Sequence, residues 1–341
     1  MSVPAFADIS KSANDLLNKD FYHLSTGTIE VKSNTPNNVA FKVTGKSSHE
    51  KVTSGNLEGK YSDKSLGKTP KHSKQPKPFR RKKLRITSFS LGPINVPGHR
   101  AWPLSFIVCF SERTSTMLMI YRRTGLTLTQ TWNTANLLES KVELNDSIAK
   151  GLKAEGVFAF LPAAQSKGAK LNLTFKQSAF HGRAFFDLLK GPTANVDAVI
   201  GHEGFVAGAS AGYDVQKAAV TGYSAAVGFQ APSYSAAITA TDNLSVFAAS
   251  YYHKVNSQVE AGAKATWNSK SGNTVGLELA SKYRLDPVSF AKAKINDRGV
   301  AAVSYNVLLR PGVTLGLGAS FDTQKLEQAT HKVGTSFTFE S

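Results

Sequence analysis

The sequence predicts an all-β membrane barrel with a polar lumen. Three observations carry that prediction. Apolar and polar residues alternate with period two over most of the 341-residue chain. Turn residues cut the alternating segments into lengths of about 8–11 residues, the tilted span of a bilayer. The polar face mixes Lys, Glu, Thr, Ser and Gly, which is too polar for a packed core and fits a water-filled interior. A soluble β-sandwich would alternate similarly, but its strands average about 5–6 residues and its apolar face points at a core.

Taken in order, residues 4–18 come first and break the pattern. Phe6, Ile9, Ala13, Leu16 and Leu17 recur at helical spacing, with Asp8, Ser12 and Asp15 on other faces. This predicts a short amphipathic helix that must dock on something, because an isolated helix of this length is marginal in water. It lies either on a sheet or membrane surface, or inside a barrel with its apolar stripe on the wall. Residues 1–20 carry no secretory pattern and no Arg, so neither a signal peptide nor a matrix-targeting peptide is expected.

The strands follow. Leu171, Leu173 and Phe175 alternate with Lys170, Asn172, Thr174 and Lys176. Val259, Ala261, Ala263, Ala265 and Trp267 alternate with Glu260, Gly262, Lys264 and Thr266. Val275, Leu277 and Leu279 repeat the pattern, as do Val313, Leu315, Leu317 and Phe321, and Val333, Phe337 and Phe339 close the chain. Turns are expected at Pro36-Asn37-Asn38, Gly191-Pro192, Asn195, Ser271-Gly272-Asn273 and Asp297-Arg298-Gly299.

One block stands apart. The net charge is +17, and residues 67–124 supply most of it, with thirteen basic residues against the single acid Glu112. They also hold six of the 13 prolines and the only cysteine, Cys109. The run KTPKHSKQPKPFRRKKLR at 68–85 reads as a solvated, disordered insertion or as a basic arm; its basic and aromatic residues do not interleave, so a nucleic-acid partner is not expected. A third reading is a translated intron. Codons for Gly67-Lys68 can contain a donor-like GTAAG, those for Thr124-Gly125 an acceptor-like ACAG, and removal of the block keeps the frame. The expected organisation is a helical segment at 1–20, one barrel domain made of 21–66 and 125–341, and the insertion at 67–124.

At this point the residues match a family. ANDLLNKDFYH at 13–23, GLTLTQTWNT at 125–134 and LLRPGVTLG at 308–316 resemble mitochondrial porins, the voltage-dependent anion channels, of the filamentous-fungal type. Residues 283–305 resemble the eukaryotic porin signature, with Tyr283, Asp286-Pro287, Ser289, Ala293-Lys294-Ile295-Asn296-Asp297, Ala302-Val303 and Tyr305. The resemblance implies 19 strands, the helix in the pore, the mitochondrial outer membrane, and passage of ATP, ADP, phosphate and other anionic metabolites. It places the insertion between the third and fourth strands, where loop-closure entropy tolerates length.

With the apolar face toward lipid, the polar register carries Lys42, Lys60, Lys141, Lys170, Lys176, Lys264, Lys292, Lys294 and Lys332, against Glu58, Glu143, Glu260 and Glu278. Excess positive charge would favour anions, modestly and with screening by salt. Lys19 follows the helix and is the best single candidate for anion selectivity, expected where the chain enters the wall, near passing anions. The resemblance also implies a gating role for the N-terminal segment and, weakly, nucleotide contact at Gly151-Leu152-Lys153. Lys332, Gly334, Phe337 and Phe339 fit the sorting signal of mitochondrial outer-membrane barrels. Expected partners are membrane lipid, anionic metabolites and nucleotides, the sorting machinery and a second copy of the chain in a homo-oligomer. No P-loop, GxGxxG, metal cluster or nucleophile–base pair is present, so neither an enzyme nor a cofactor is expected. The competing readings are the barrel of the outer-membrane protein translocase and a soluble basic β protein that binds nucleic acid.

Overall fold

The computed structural model describes residues 3–50, 52–62, 126–146, 149–189, 191–272, 275–328 and 331–341. They form nineteen strands and one α-helix, α1 (Lys11–Asn18). The first strands are β1 (Gly27–Asn34), β2 (Val39–Ser47), β3 (Thr53–Ser62), β4 (Leu126–Asn133), β5 (Leu138–Asn145), β6 (Leu152–Leu161) and β7 (Ser166–Lys176). Next come β8 (Phe180–Asp187), β9 (Thr193–His202), β10 (Phe205–Asp214), β11 (Ala219–Gln230), β12 (Tyr234–Thr241) and β13 (Val246–Lys254). The last are β14 (Val259–Asn268), β15 (Val275–Asp286), β16 (Ser289–Asn296), β17 (Val300–Arg310), β18 (Val313–Asp322) and β19 (Lys332–Glu340).

Each strand pairs antiparallel with its sequence neighbour, and β1 also pairs with β19, so the sheet closes on itself. Antiparallel neighbours alternate in direction, so with an odd number of strands the first and last run the same way. The closing pair is accordingly parallel, in register from Gly27↔Thr335 to Lys32↔Glu340. Closure leaves no unpaired edge to be solvated by lipid. β3 and β4 are direct neighbours, Asn56↔Asn133 through Ser62↔Thr127, on either side of residues 63–125. The insertion, basic-arm and translated-intron expectations for 67–124 lie outside the described residues.

Alternation becomes two faces. On β14 and β15 the register couples Glu260 to Lys282, Gly262 to Ala280 and Lys264 to Glu278 on one face, and Ala261 to Ser281, Ala263 to Leu279 and Trp267 to Val275 on the other. The second face carries large exposed apolar groups around the barrel, such as Ile200 at 61% and Phe205 at 67% exposed. Such a surface is costly in water and matched by hydrocarbon. Aromatic pairs sit on it, with Phe205 against Phe229 at 4.7 Å and Phe247 stacked on Trp267 at 5.5 Å.

The buried apolar core lies at the N-terminus. Val3, Ala5, Ile9, Ala13, Leu16, Leu17 and Phe21 are all buried against the inner wall. The helix expected over 4–18 is shorter. A 3-10 turn occupies Phe6–Asp8 and α1 starts at Lys11, with Ser10 off helical geometry at φ −100° and ψ 17°. The break lets two apolar groups meet two parts of the wall, Val3 and Ile9 with Val199, Val206, Ala226 and Ala237, and Leu16 and Leu17 with Ala280. Asn195, expected in a turn, lies inside β9 opposite Phe185 and Gly212.

Candidate functional site

The inner wall and the segment docked on it form the site. The segment needs close approach, and glycines on the inward register provide it. A Cβ on Gly201 would come within 2.8 Å of Val3, on Gly208 within 3.0 Å of Phe6, and on Gly262 within 2.9 Å of Leu16. A second 3-10 turn, Tyr22–Leu24, then crosses Gly316, Gly318 and Gly334 of β18 and β19. Of these, the sequence assigned a role only to Gly334, in the sorting signal. The available signal was a glycine recurring on the polar register within a strand, where nothing in the strand itself requires one.

The nine expected lysines of the barrel wall all fall on this inward register, but in different settings. Lys264 Nζ donates to Asn14 Oδ1 at 3.2 Å. Lys292 Nζ donates to the carbonyls of Asp15 (3.2 Å) and Lys19 (2.6 Å), with the Asp20 carboxylate at 3.8 Å. Lys294 Nζ donates to the Leu17 carbonyl at 3.0 Å. Both ammonium groups also face the Phe21 ring, at 5.0 and 4.7 Å from its centroid. These carbonyls belong to the last turn of α1 and its exit, where the dipole is negative and helix geometry leaves acceptor capacity to spare, although the Asp15 carbonyl also takes the Lys19 N–H. Lys292 is only 3% exposed, where the sequence suggested a solvated side chain. Lys19 is the C-cap of α1; its N–H bonds the Asp15 carbonyl and its side chain is exposed.

Elsewhere the lysines stand among carboxylates. Glu30 takes ion pairs from Lys32 (3.0 Å) and Lys42 (3.1 Å). Glu143 and Glu155, direct cross-strand neighbours, share Lys141 at 2.6 and 3.4 Å and are also both paired with Lys153. Lys60 lies opposite Ala40 and Thr129, Lys170 opposite Val157 and Asp187, Lys176 opposite His181, and Lys332 opposite Ser320. The sequence list omitted Lys32, Lys46, Arg183, Lys254 and Lys282, which the same alternation places inward.

Gly151 has a turn reason for being glycine. Its φ is +82°, its N–H bonds Asp146 Oδ1 at 2.7 Å, and a Cβ would strike the Lys176 carbonyl. Leu152 falls on the outward register, and Lys153 inward beside its glutamates. At the C-terminus Lys332 and Gly334 point inward, while Phe337 and Phe339 face outward, stacked at 6.4 Å.

His23, in the turn on β18 and β19, is 7% exposed. Its carbonyl lies 2.8 Å from His49 Nε2, and its Nδ1 has no hydrogen-bond partner among the described residues. Burial lowers its pKa from the ordinary 6.5, and Lys294, Lys332 and His49 lower it further. The seated segment therefore resists a proton that a released one accepts. Seating contributed by this group is complete above pH 6.5 and is lost progressively as pH falls below that value. A nitroxide on Ser12 should gain mobility on acidification below pH 6.5, and His23→Gln should flatten that response. Equal pH profiles for the two chains would contradict this account.

A closed barrel with a polar, charge-bearing interior and a segment docked inside it defines a porin-type pore. The eukaryotic porin family model matches residues 2–73 and 109–334. The chain is 69% identical over 341 residues to the mitochondrial outer membrane protein porin of Neurospora crassa, covering 100% of both chains. It is 43% identical to the porin of the same name in Candida albicans, covering 99% of each. It is 34% identical to non-selective voltage-gated ion channel 1 of Saccharomyces cerevisiae, covering 100% of each. The chain belongs to the eukaryotic porin family.

Proposed function

We propose that this chain is a voltage-gated channel of the mitochondrial outer membrane that passes small solutes with a modest preference for anions, including ATP, ADP and phosphate. It works by permeation rather than catalysis. The observation that carries the reading is the lysine-rich inward register of a closed barrel, with a helix lying in the lumen. The names of the relatives, an outer-membrane porin and a voltage-gated channel, point the same way.

The physics sets the size of the preference. A unit charge about 10 Å from a passing ion in water is worth about 0.4 kcal/mol before screening, roughly a factor of two. Lysines compensated by Glu30, Glu143 and Glu155 contribute less than lysines distant from carboxylates. Gating requires charge to move in the field, at about 2.3 kcal/mol per unit charge per 100 mV. The Gly151-Leu152-Lys153 turn supports no more than a passing contact of Lys153 with an anion. Sorting of the barrel through Lys332, Gly334, Phe337 and Phe339, and contact with a second copy through the lipid-facing wall, belong to the same proposal.

Refolded full-length protein in a planar bilayer tests it, under a KCl gradient with voltage steps. Step-like conductance that closes at both polarities, with a reversal potential on the anion side, is expected. Lys60→Glu should lower the anion permeability by about a factor of four at low salt, two units of charge at the distance above, and raise the cation permeability by a similar factor, so the anion-to-cation ratio falls by about sixteen before screening. An unchanged ratio would remove the wall lysines from selectivity, and an absence of channels would overturn the reading.

A further inference from the structure

We propose that Lys292 and Lys294 are positioning residues that latch the N-terminal helix in its docked state, rather than selectivity charges seen by passing ions. The proposal rests on the gated-channel reading above and deepens it by naming where the docked state is held.

The geometry carries the argument. A buried ammonium needs partners for its three N–H groups. Lys292, 3% exposed, donates to the carbonyls of Asp15 and Lys19, and the Asp20 carboxylate adds an ion pair at 3.8 Å. Lys294, two residues along on the same face of β16, takes the Leu17 carbonyl. All four acceptors lie on the last turn of α1 or just beyond it. A cation there is balanced by the helix C-terminus and by Asp20, and little of its field reaches the aqueous path. The Phe21 ring closes over both ammonium groups and shields them further.

The remainder of the segment is held differently. Its N-terminal part rests mainly on apolar contacts of Val3, Phe6 and Ile9, with single side-chain bonds from His181 to the Val3 carbonyl and from Gln230 to the Ile9 carbonyl, and the Tyr22–Leu24 turn rests on glycines, with Asn306 against the Tyr22 hydroxyl. Apolar contacts tolerate sliding, whereas donors fixed on β16 select one axial position and one rotation of α1. Loss of either lysine removes the ammonium donor that β16 supplies to these carbonyls. Loss of the helix takes the carbonyl acceptors away from both cations. The two halves therefore stabilise each other only in the docked arrangement.

The test uses the full chain with Cys109→Ser and a reporter thiol, Ala13→Cys, since Ala13 is 2% exposed on the wall side of α1. Labelling by a charged maleimide reports undocking without any current. Lys292→Met and Lys294→Met should each raise the labelling rate about tenfold, the lower range for loss of hydrogen bonds to a charged group. They should also shift channel closing to lower voltage while leaving the reversal potential near that of the parent. Lys60→Met, on β3, should move only the reversal potential. The arginine variants, which keep donors in place, should label closer to the parent than the methionine variants do.

Methionine variants that change the reversal potential as Lys60→Met does, with labelling rate and closing voltage unaltered, would overturn the proposal. If Lys292→Met yields no barrel, Lys294→Met against Lys294→Arg decides it, and equal labelling rates overturn it. If the parent forms no gated channel, the functional reading fails while the labelling comparison still decides the latch.

Discussion

Gly334→Val is expected to unseat the N-terminal segment while the barrel stays closed. Gly334 lies on the inward face of β19, and a Cβ there would run into the carbonyl oxygens of Tyr22 and Ser25. Both are backbone atoms, so no rotamer change relieves the contact. At Gly318, its register partner on β18, an added Cβ would likewise come within 2.7 and 2.8 Å of the Tyr22 and His23 amide nitrogens. Valine suits the strand itself, so the pairing of β18 with β19 should survive. Overpacking of this kind costs about 3 kcal/mol, roughly a hundredfold shift toward the released segment. Trypsin offers a direct measurement. Lys19 has an exposed side chain, but its amide and carbonyl are both hydrogen-bonded, so cleavage requires the chain to lift off first. The variant should be cut after Lys19 about a hundred times faster than the parent, with the β-sheet circular dichroism unchanged. Equal cleavage rates would show that the segment is not held by its fit to these glycines.

Asp197→Ala is expected to destabilise the barrel more than loss of any single surface charge. Asp197 is 5% exposed and receives Arg183 in a two-point contact, Nε to Oδ1 at 3.0 Å and Nη2 to Oδ2 at 2.8 Å. The pair bridges β8 and β9 directly across the register. Its removal strands a guanidinium whose other neighbour is the Phe185 ring, 5.2 Å away. Breaking a buried pair from one side costs about 3–5 kcal/mol, and water in the lumen puts the expected value near the lower bound. Urea unfolding in detergent should show that loss for Asp197→Ala, and the double variant Arg183→Met with Asp197→Leu should recover most of it. A double variant no more stable than the single one would mean that the bridge, rather than a stranded charge, sets the cost.

The strands were legible because membrane geometry imposes both period and length. Leu171, Leu173 and Phe175 needed only a lipid-facing register, and β7 delivers it. The odd strand number came from the family resemblance, since alternation within a strand says nothing about how many strands close the ring. The helix was legible as a face but not as a span. Phe6 and Ile9 fit helical spacing, yet the curved wall splits them from α1 at Ser10. The setting of the lysines was less legible. Lys60 and Lys292 share a register class, and nothing local distinguishes the lysine opposite Thr129 from the one under the helix. That difference arises from a contact between residues more than 270 positions apart.

The parallel pairing of β1 with β19 has a consequence for how the molecule comes into being. Every other pair joins strands that are neighbours in sequence, so hairpins can assemble as soon as both arms exist. The seam joins Thr28 to Ser336, and it waits for the last residues of the chain. Until then the growing sheet has two raw edges, each a template for stray pairing. Ring closure is thus the slow, long-range act of assembly, and a chain cut short by its final strand would remain an open ribbon.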